Sequence, residues 1–377
     1  MKIADATNIY FGSTEAEAVY LADEMVWPHV PEQHWLKFTA LETGTFSFTM
    51  PADIDTSFIT SISYSTNNGR TWTTVNNSSS NVVVTTPTIK AGKSVYWKGL
   101  GTRTSYYESS DSTNHHANFS STGNFEVSGW LTSLLYGDNF TGKKSISDNY
   151  KFAAVFWACS KLISADKLKL GEFYSLTDYI YASLFYMCSS LTTPPALPAT
   201  TLVAGAYGAM FSFCTSLTTP PALPATTLGR SCYREMFYGC TSLTTTPVLP
   251  AKTLAEHCYH SMFSGCTSLT TASALPATTL VTSCYENMFK GCTSLTTAPV
   301  LPATTLVSRC YDWLFKDCSS LNYIKAMFTT TPSSSYTGGW VDGVSSSGTF
   351  VKNSSASWSV RGVNGIPNNW TISTASS

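Results

Sequence analysis

Residues 266–291 read CTSLTTASALPATTLVTSCYENMFKG, and residues 292–317 repeat the pattern as CTSLTTAPVLPATTLVSRCYDWLFKD. Outward from this pair, two cysteine series and one proline series each recur at a step of 26 residues. They are Cys188, Cys214, Cys240, Cys266, Cys292 and Cys318; Cys232, Cys258, Cys284 and Cys310; and Pro198, Pro224, Pro250, Pro276 and Pro302. A degenerate copy around Cys159 lies 29 residues before Cys188. Such self-similarity is typical of proteins built from stacked repeats.

Each repeat combines a β-prone segment, a Leu-Pro stop and an apolar tail. Ser268–Thr271 favours one short strand of a parallel sheet, and Pro276 ends that strand because proline cannot donate to a sheet. A single repeat cannot bury its apolar tail, whereas stacking buries it against the next copy. The tail consists of Leu280, Cys284, Met288, Phe289, Cys292 and Leu295. The period lies within the ~20–29 residues of leucine-rich repeats and predicts a solenoid of about seven coils.

The cysteine series have three possible explanations. A C-x7-C spacing differs from the C-x2-4-C spacing of zinc sites, and eleven cysteines cannot all pair in disulfides. A core of small reduced thiols explains the strict period better, and it favours synthesis in a reducing compartment. We therefore predict that both series form a buried structural ladder, and we expect neither metal nor cofactor.

The repeats resemble a known family. The Cys-x-x-Leu core, the Met-Phe-x-x-Cys segment and the Leu-Pro pair resemble the BspA-type leucine-rich repeats of surface proteins in gut and oral anaerobes. The resemblance covers about residues 150–325, although the unit here is longer by an Ala-Thr-Thr-Leu loop. It implies a leucine-rich-repeat fold and a role in adhesion or interaction.

The first 30 residues contain a local duplication. Ile9–Thr14 is echoed by Val19–Glu24, which predicts two strands paired as one acidic hairpin with one lysine and five carboxylates. The pattern resembles the N-terminal segments that dock tailed-phage fibres to the particle, and the alternative is an edge hairpin of the following domain. The predicted docking residues are Ile9, Tyr10, Phe11, Val19, Tyr20, Leu21, Val26 and Trp27.

The remaining segments complete a mainly β architecture. Trp35–Ala40 and Phe46–Thr49 alternate with period two, and Ile62–Val75 predicts a hairpin around Asn67-Asn68-Gly69. The predicted domains are a docking hairpin at 1–30, an immunoglobulin-like β-sandwich at 31–128, the solenoid at 129–325 and a C-terminal cap at 326–377. The cap contains Trp340, Trp358 and Trp370.

Composition excludes several functional classes. Charged residues make up 12% of the 377 residues and the net charge is −1, so a nucleic-acid partner is not expected. The sequence contains no run of 18 apolar residues, so membrane insertion is not expected. The N-terminus lacks the apolar core of a signal peptide, which favours a protein assembled inside a cell and working outside it.

No Walker loop, dinucleotide fingerprint, H-E-x-x-H or G-x-S-x-G motif is present, so an enzyme is not expected. The positions that vary among otherwise constant repeats predict a receptor face instead. Its tyrosines could either stack on sugar rings or pack between coils. The predicted face comprises Tyr233, Glu235, Tyr238, Tyr259, His260, Tyr285, Glu286, Lys290, Tyr311, Asp312 and Trp313.

Together these features predict a non-enzymatic virion surface protein of a gut Bacteroidales-type phage, either a tail or a head fibre. Its expected partners are other virion proteins at the N-terminus and a bacterial surface glycan or protein at the repeats. A homotrimer is expected by analogy with phage fibres. The alternatives are a bacterial cell-surface adhesin and a tailspike-like glycan hydrolase that uses acids such as Glu286 and Asp312.

Overall fold

The computed structural model describes residues 35–52, 56, 58–78, 80–107, 114–140 and 143–375, and only the backbone of four short strands before residue 28. These described residues are mainly β, with one four-residue α-helix. No helix among them is both long and apolar enough to cross a bilayer.

The N-terminal strands form two small hairpins. Strands β1 (Tyr10–Phe11) and β2 (Thr14–Glu15) pair antiparallel, as do β3 (Val19–Leu21) and β4 (Glu24–Trp27). The prediction that the two copies pair with each other is therefore wrong. Only two residues separate the strands of each pair, which is the commonest hairpin connection, so each copy closes on itself. The predicted docking residue Ile9 lies outside the described residues.

Two sheets follow. The elements in chain order are β5 (Leu36–Ala40), β6 (Phe46–Met50), β7 (Ile59–Ser65), β8 (Thr73–Asn76), β9 (Val82–Thr85), β10 (Ser94–Gly101), β11 (Ser105–Tyr107), β12 (Asn114–His116), β13 (Asn118–Ser121), β14 (Phe125–Trp130), α1 (Ser133–Tyr136), a 3-10 turn (Gly137–Asn139) and β15 (Leu162–Lys169). The larger sheet has the order β15-β14-β5-β10-β7-β8 and the smaller one β13-β6-β9, while β11 pairs with β12. The predicted hairpin is confirmed by the antiparallel pairing of β7 with β8.

The two sheets share an aromatic core because their strands alternate inward and outward residues. Phe38 of β5 is fully buried, and its ring centroid lies 4.7 Å from that of Phe119 on β13. Trp97 of β10 lies 5.0 Å from Phe119 and is also fully buried. These contacts cross from one sheet to the other and so hold the sheets face to face.

The first repeat is joined to the larger sheet through β15. This strand pairs in parallel with β14, whose own residues run across the predicted boundary at 128. In addition, Phe119 N–H donates to the carbonyl of Val155 at 2.8 Å. The sheets and the repeats therefore share one continuous hydrophobic core.

The repeats stack through backbone hydrogen bonds between neighbouring coils. Between residues 231 and 239, every second N–H donates to a carbonyl of the next coil, as Tyr233 does to Cys258 and Phe237 does to Met262. The intervening N–H groups donate three residues back, as Met236 does to Tyr233. Every fourth residue has positive φ, and the same set recurs in later coils: 231, 235 and 239; 257, 261 and 265; 283, 287 and 291; 309, 313 and 317.

The strand predicted in each repeat is reduced to a single residue pair in the middle of the stack. Thr245 and Thr271 form one isolated parallel bridge, and Thr270 N–H donates to Thr244 at 3.1 Å. The prediction of a strand at Ser268–Thr271 is therefore wrong in extent. The Leu-Pro stop explains this, because the chain leaves the pairing direction within a few residues of the bridge.

Parallel pairing lengthens into true strands at the C-terminal end. Strands β16 (Tyr323–Ala326), β17 (Thr349–Asn353) and β18 (Thr371–Ala375) form a parallel sheet. Phe289 N–H donates to the carbonyl of Leu314, and one coil later Phe315 N–H donates to the carbonyl of Trp340. Trp340 is therefore the structural equivalent of Leu314. Trp340 is fully buried, so this part of the predicted cap extends the stack and covers the apolar end of the last regular coil.

Candidate functional site

From each Cys-Tyr pair onward, two successive side chains are buried in the core and the next side chain lies at the surface. In one coil Tyr233 and Met236 are buried, whereas Arg234 and Tyr238 are exposed. The positive φ at Glu235 turns the chain between these pairs, and the hydrogen bonds to the next coil hold that turn. Equivalent residues of successive coils therefore lie side by side, and the stack presents one row of variable side chains.

The tyrosines of the predicted receptor face belong to the core. Tyr233, Tyr259, Tyr285 and Tyr311 are at most 1% exposed, and their rings stack at centroid distances of 5.8–6.0 Å. Of the two alternatives, packing between coils is therefore the one observed, and their inclusion in an accessible face is wrong. The physical reason is that each ring follows a buried cysteine and takes the second inward position of the four-residue pattern.

The cysteines form two buried columns of free thiols beside these rings. In the first column, from Cys214 onward, each Sγ donates to a phenylalanine carbonyl 29 residues earlier, as Cys266 does to Phe237 at 3.1 Å and Cys292 does to Phe263 at 3.2 Å. Burial raises the pKa of Cys240 to about 12. The thiols are therefore protonated donors in the core, and their regular step follows from the regular step of the accepting carbonyls.

A charged strip runs along the outer row of residues 234–312. We use this name for Arg234, Glu235, His257, His260, Glu286, Arg309 and Asp312. At its centre, Arg309 Nη2 donates to Glu286 Oε1 at 2.5 Å and Arg309 Nε lies 3.4 Å from Asp312 Oδ2. Asp312 Oδ1 accepts from Gly338 N–H at 2.8 Å.

Both central carboxylates lie below the surface. Glu286 is 3% exposed and Asp312 is 7% exposed, so their placement on an open face is wrong. Burial raises the pKa of Asp312 above its ordinary value, and the Gly338 N–H and Arg309 oppose this effect. Since Arg309 binds both acids and is itself half-exposed, the strip presents a guanidinium to solvent at this point instead of two carboxylates.

The two histidines of the strip have lowered pKa values. For His260 the main cause is burial, followed by Arg234, and for His257 it is burial followed by Arg230. His260 Nε2 lies 3.8 Å from Glu286 Oε1, while its Nδ1 is buried and has no hydrogen-bond partner among the described residues. Within the described part of the chain, no three His, Cys, Asp or Glu side chains are grouped to hold a metal ion.

Three predicted face residues flank the strip and reach solvent. Tyr238 is 37% exposed and Trp313 is 40% exposed, and Lys290 lies with its Nζ 5.9 Å from the Trp313 ring centroid. We call Tyr238, Lys290 and Trp313 the exposed flank. An aromatic ring beside an ammonium group offers a surface for polar ligands that also have an apolar face.

Sequence reasoning missed the residue that organises the strip. Arg309 precedes Cys310, at a position occupied by Ser283 and His257 in the two preceding coils, and so it varies as much as the residues chosen. Comparing the position before each Cys-Tyr pair as well as those after it would have found it. No residue preference in the sequence indicates the regular positive φ values, because serine, histidine, arginine and tryptophan all occupy such positions.

Comparison with known families agrees with the repeat geometry. A family model of the BspA type leucine-rich repeat region matches residues 230–337 in six copies, which is less than a third of the chain and includes the whole charged strip. Searches of curated proteins and of solved structures each found no match.

Proposed function

We propose that this chain is a non-enzymatic attachment protein whose charged strip and exposed flank bind a bacterial surface glycan or protein. One observation carries the proposal: the buried residues are nearly constant from coil to coil, while the outer row changes in every coil. A rigid stack with a varied row is suited to recognition, because each coil contributes a different side chain at a defined spacing.

The electrostatics of the strip favour binding over hydrolysis. A glycan hydrolase of the usual kind needs two carboxyl groups on either side of one sugar, about 5–9.5 Å apart. Glu286 and Asp312 instead both contact Arg309 and are nearly covered. We therefore place the ligand contacts on Arg309, Lys290 and Trp313, which reach solvent.

We further propose that the protein is carried on a phage virion, with the N-terminal segments docking it to other virion proteins and with three copies in the fibre. We also propose that the two sheets form an immunoglobulin-like β-sandwich. A short acidic segment with apolar strands makes a poor domain alone and gains stability from a partner. A bacterial cell-surface adhesin remains the second candidate, and the BspA-type match at residues 230–337 favours it.

Cell binding tests the attachment function. The labelled full chain is incubated with Bacteroidales strains, beside a triple variant of the exposed flank, Tyr238→Ala, Lys290→Ala and Trp313→Ala. The matched control changes three exposed residues of the repeats that lie near the Leu-Pro loops, Val248→Ala, Lys252→Ala and Thr278→Ala. We expect the flank variant to lose at least tenfold in affinity and the control to bind like the parent. Equal binding by all three proteins would remove the proposal.

Mass measurements test whether the protein is carried on a phage virion. Light scattering of the full chain and of a chain starting at Pro31 is compared, together with mass spectrometry of purified phage particles from the same bacterial community. An assembly that depends on residues 1–30 and peptides of this chain in the particles are expected. Detection of the chain in bacterial envelope fractions of phage-free cultures would favour the adhesin instead.

A further inference from the structure

The first coil departs from the 26-residue step. Leu168 and Leu176 of this coil are equivalent to Leu197 and Leu202 of the next coil. Seven residues lie between Leu168 and Leu176, but only four lie between Leu197 and Leu202. The insertion therefore lies within residues 169–175, and it accounts for the 29-residue step from Cys159 to Cys188. The regular coils need no such segment to stack.

The inserted residues build one wall of a cavity. Gly171 has φ 145°, and a Cβ there would lie 2.5 Å from the Phe173 ring, so only glycine allows this path. Phe173 stacks on Phe152 at 6.5 Å. The N–H of Tyr174 donates to the Lys144 carbonyl at 2.8 Å, which anchors a residue that is 85% exposed.

The cavity has a volume of about 410 Å³ and lies between the insertion and the loop of the next coil. Thr200 and Thr201 supply hydroxyl groups at its edge, and the rings of Tyr181 and Tyr207 form its floor. Tyr181 OH donates to the Leu170 carbonyl at 3.1 Å. Tyr207 is 1% exposed and lines the cavity beside Tyr181.

The charges around the cavity select the class of ligand. No lysine or arginine lines it, and its one carboxylate, Glu172, is paired with Lys144. An anionic ligand would therefore find no partner charge. The exposed ring of Tyr174 and the hydroxyl groups of the threonines and tyrosines that line the cavity suit a neutral ligand that has one C–H face and several hydroxyl groups.

We propose that this cavity binds a pyranose ring of a neutral saccharide, which stacks on Tyr174 and hydrogen-bonds to the hydroxyl of Tyr207. The site is separate from the charged strip and does not depend on the proposed attachment function. A ligand of one or two sugar rings matches the volume.

Saturation-transfer NMR tests the site on the purified full chain. The probes are the methyl glycosides of glucose, galactose, mannose and N-acetylglucosamine, each at millimolar concentration. We expect at least one to bind, Tyr174→Ala to weaken it at least tenfold, and Tyr207→Phe to weaken it severalfold. Val248→Ala is the matched control, since Val248 is an exposed residue of another coil, outside both proposed binding surfaces, and its replacement should leave binding unchanged.

Three results would overturn the proposal: no binding of any glycoside, binding that both cavity variants leave unchanged, or binding of the apolar probe p-cresol without any glycoside. Neither variant is expected to impair folding, because Tyr174 is exposed and Tyr207→Phe keeps the buried ring. Tyr174→Ala and Tyr207→Phe leave the charged strip and the exposed flank intact, so measuring their cell binding as well distinguishes a failure of cell attachment from a failure of the cavity.

Discussion

Replacing Ser283 by glycine is expected to stabilise the repeat stack by nearly 2 kcal/mol. Ser283 has φ 53° and is 1% exposed, and its hydroxyl is buried without a hydrogen-bond partner among the described residues. The equivalent residue of an earlier coil is Gly205, which has φ 60°. The backbone at this position is therefore one that glycine already adopts in the same protein.

The magnitude is the sum of three contributions. A left-handed conformation costs a residue with a Cβ roughly 1.5 kcal/mol, which the change removes. Glycine loses about 0.75 kcal/mol more backbone entropy on folding than alanine does. Removing an unsatisfied buried hydroxyl gains about 1 kcal/mol. The net is about 1.75 kcal/mol for Ser283→Gly, and about 1 kcal/mol for Ser283→Ala, which keeps the Cβ.

A reciprocal pair of variants checks the conformational part alone. Gly291 has φ 72°, and a Cβ there would lie 3.7 Å from its nearest neighbour, so Gly291→Ala meets no clash and should cost about 0.75 kcal/mol. Gly239 has φ 68°, but its Cβ would lie 2.7 Å from the Phe213 ring. Gly239→Ala should therefore cost clearly more than Gly291→Ala.

Hydrogen exchange measured by mass spectrometry is the suitable assay, because repeat stacks need not unfold in one step. Peptides covering residues 257–317 report the local opening free energy. A gain of 1.75 kcal/mol slows exchange about twentyfold. The reasoning is refuted if Ser283→Gly protects these peptides no better than Ser283→Ala does.

Three further predictions follow from the buried columns and the strip. All eleven thiols should resist iodoacetamide at pH 7 in the native chain and react in guanidinium, since burial raises the pKa of Cys240 to about 12, and mass spectrometry would show any native labelling that contradicts this. Phe263→Ala, which empties a site between Phe237 at 5.6 Å and Phe289 at 5.7 Å, should cost about 3–5 kcal/mol in guanidinium unfolding, whereas Trp313→Ala should cost little. The pKa of His260 is lowered by burial from its ordinary 6.5, so its protonation favours the unfolded chain and stability is lost as pH falls from 7.5 to 5. His260→Gln should lose less over that interval, and equal shifts of the urea midpoint would contradict the prediction.

The chain pattern predicted the architecture well where spacing is informative. The 26-residue step identified the residues that stack, and the period-two alternation of Trp35–Ala40 and the turn at Asn67–Gly69 correspond to the observed strand Leu36–Ala40 and a hairpin. The predicted receptor face was less accurate. Tyr233 and its equivalents vary little, and Glu286 and Asp312 are polar, yet all of them are covered.

The sequence by itself determined which residues recur, and hence which side chains form the columns of cysteine, tyrosine and phenylalanine. It did so because a stacked repeat needs the same side chain at the same place in every coil. Only the tertiary structure decided how the chain travels between those columns. Left-handed residues such as Ser283 and Trp313 are stable only when hydrogen bonds from neighbouring coils hold them, and no local sequence preference encodes that support. The same long-range contacts decide that Arg309 covers two acids and that three extra residues in the first coil enclose a cavity beside Tyr174.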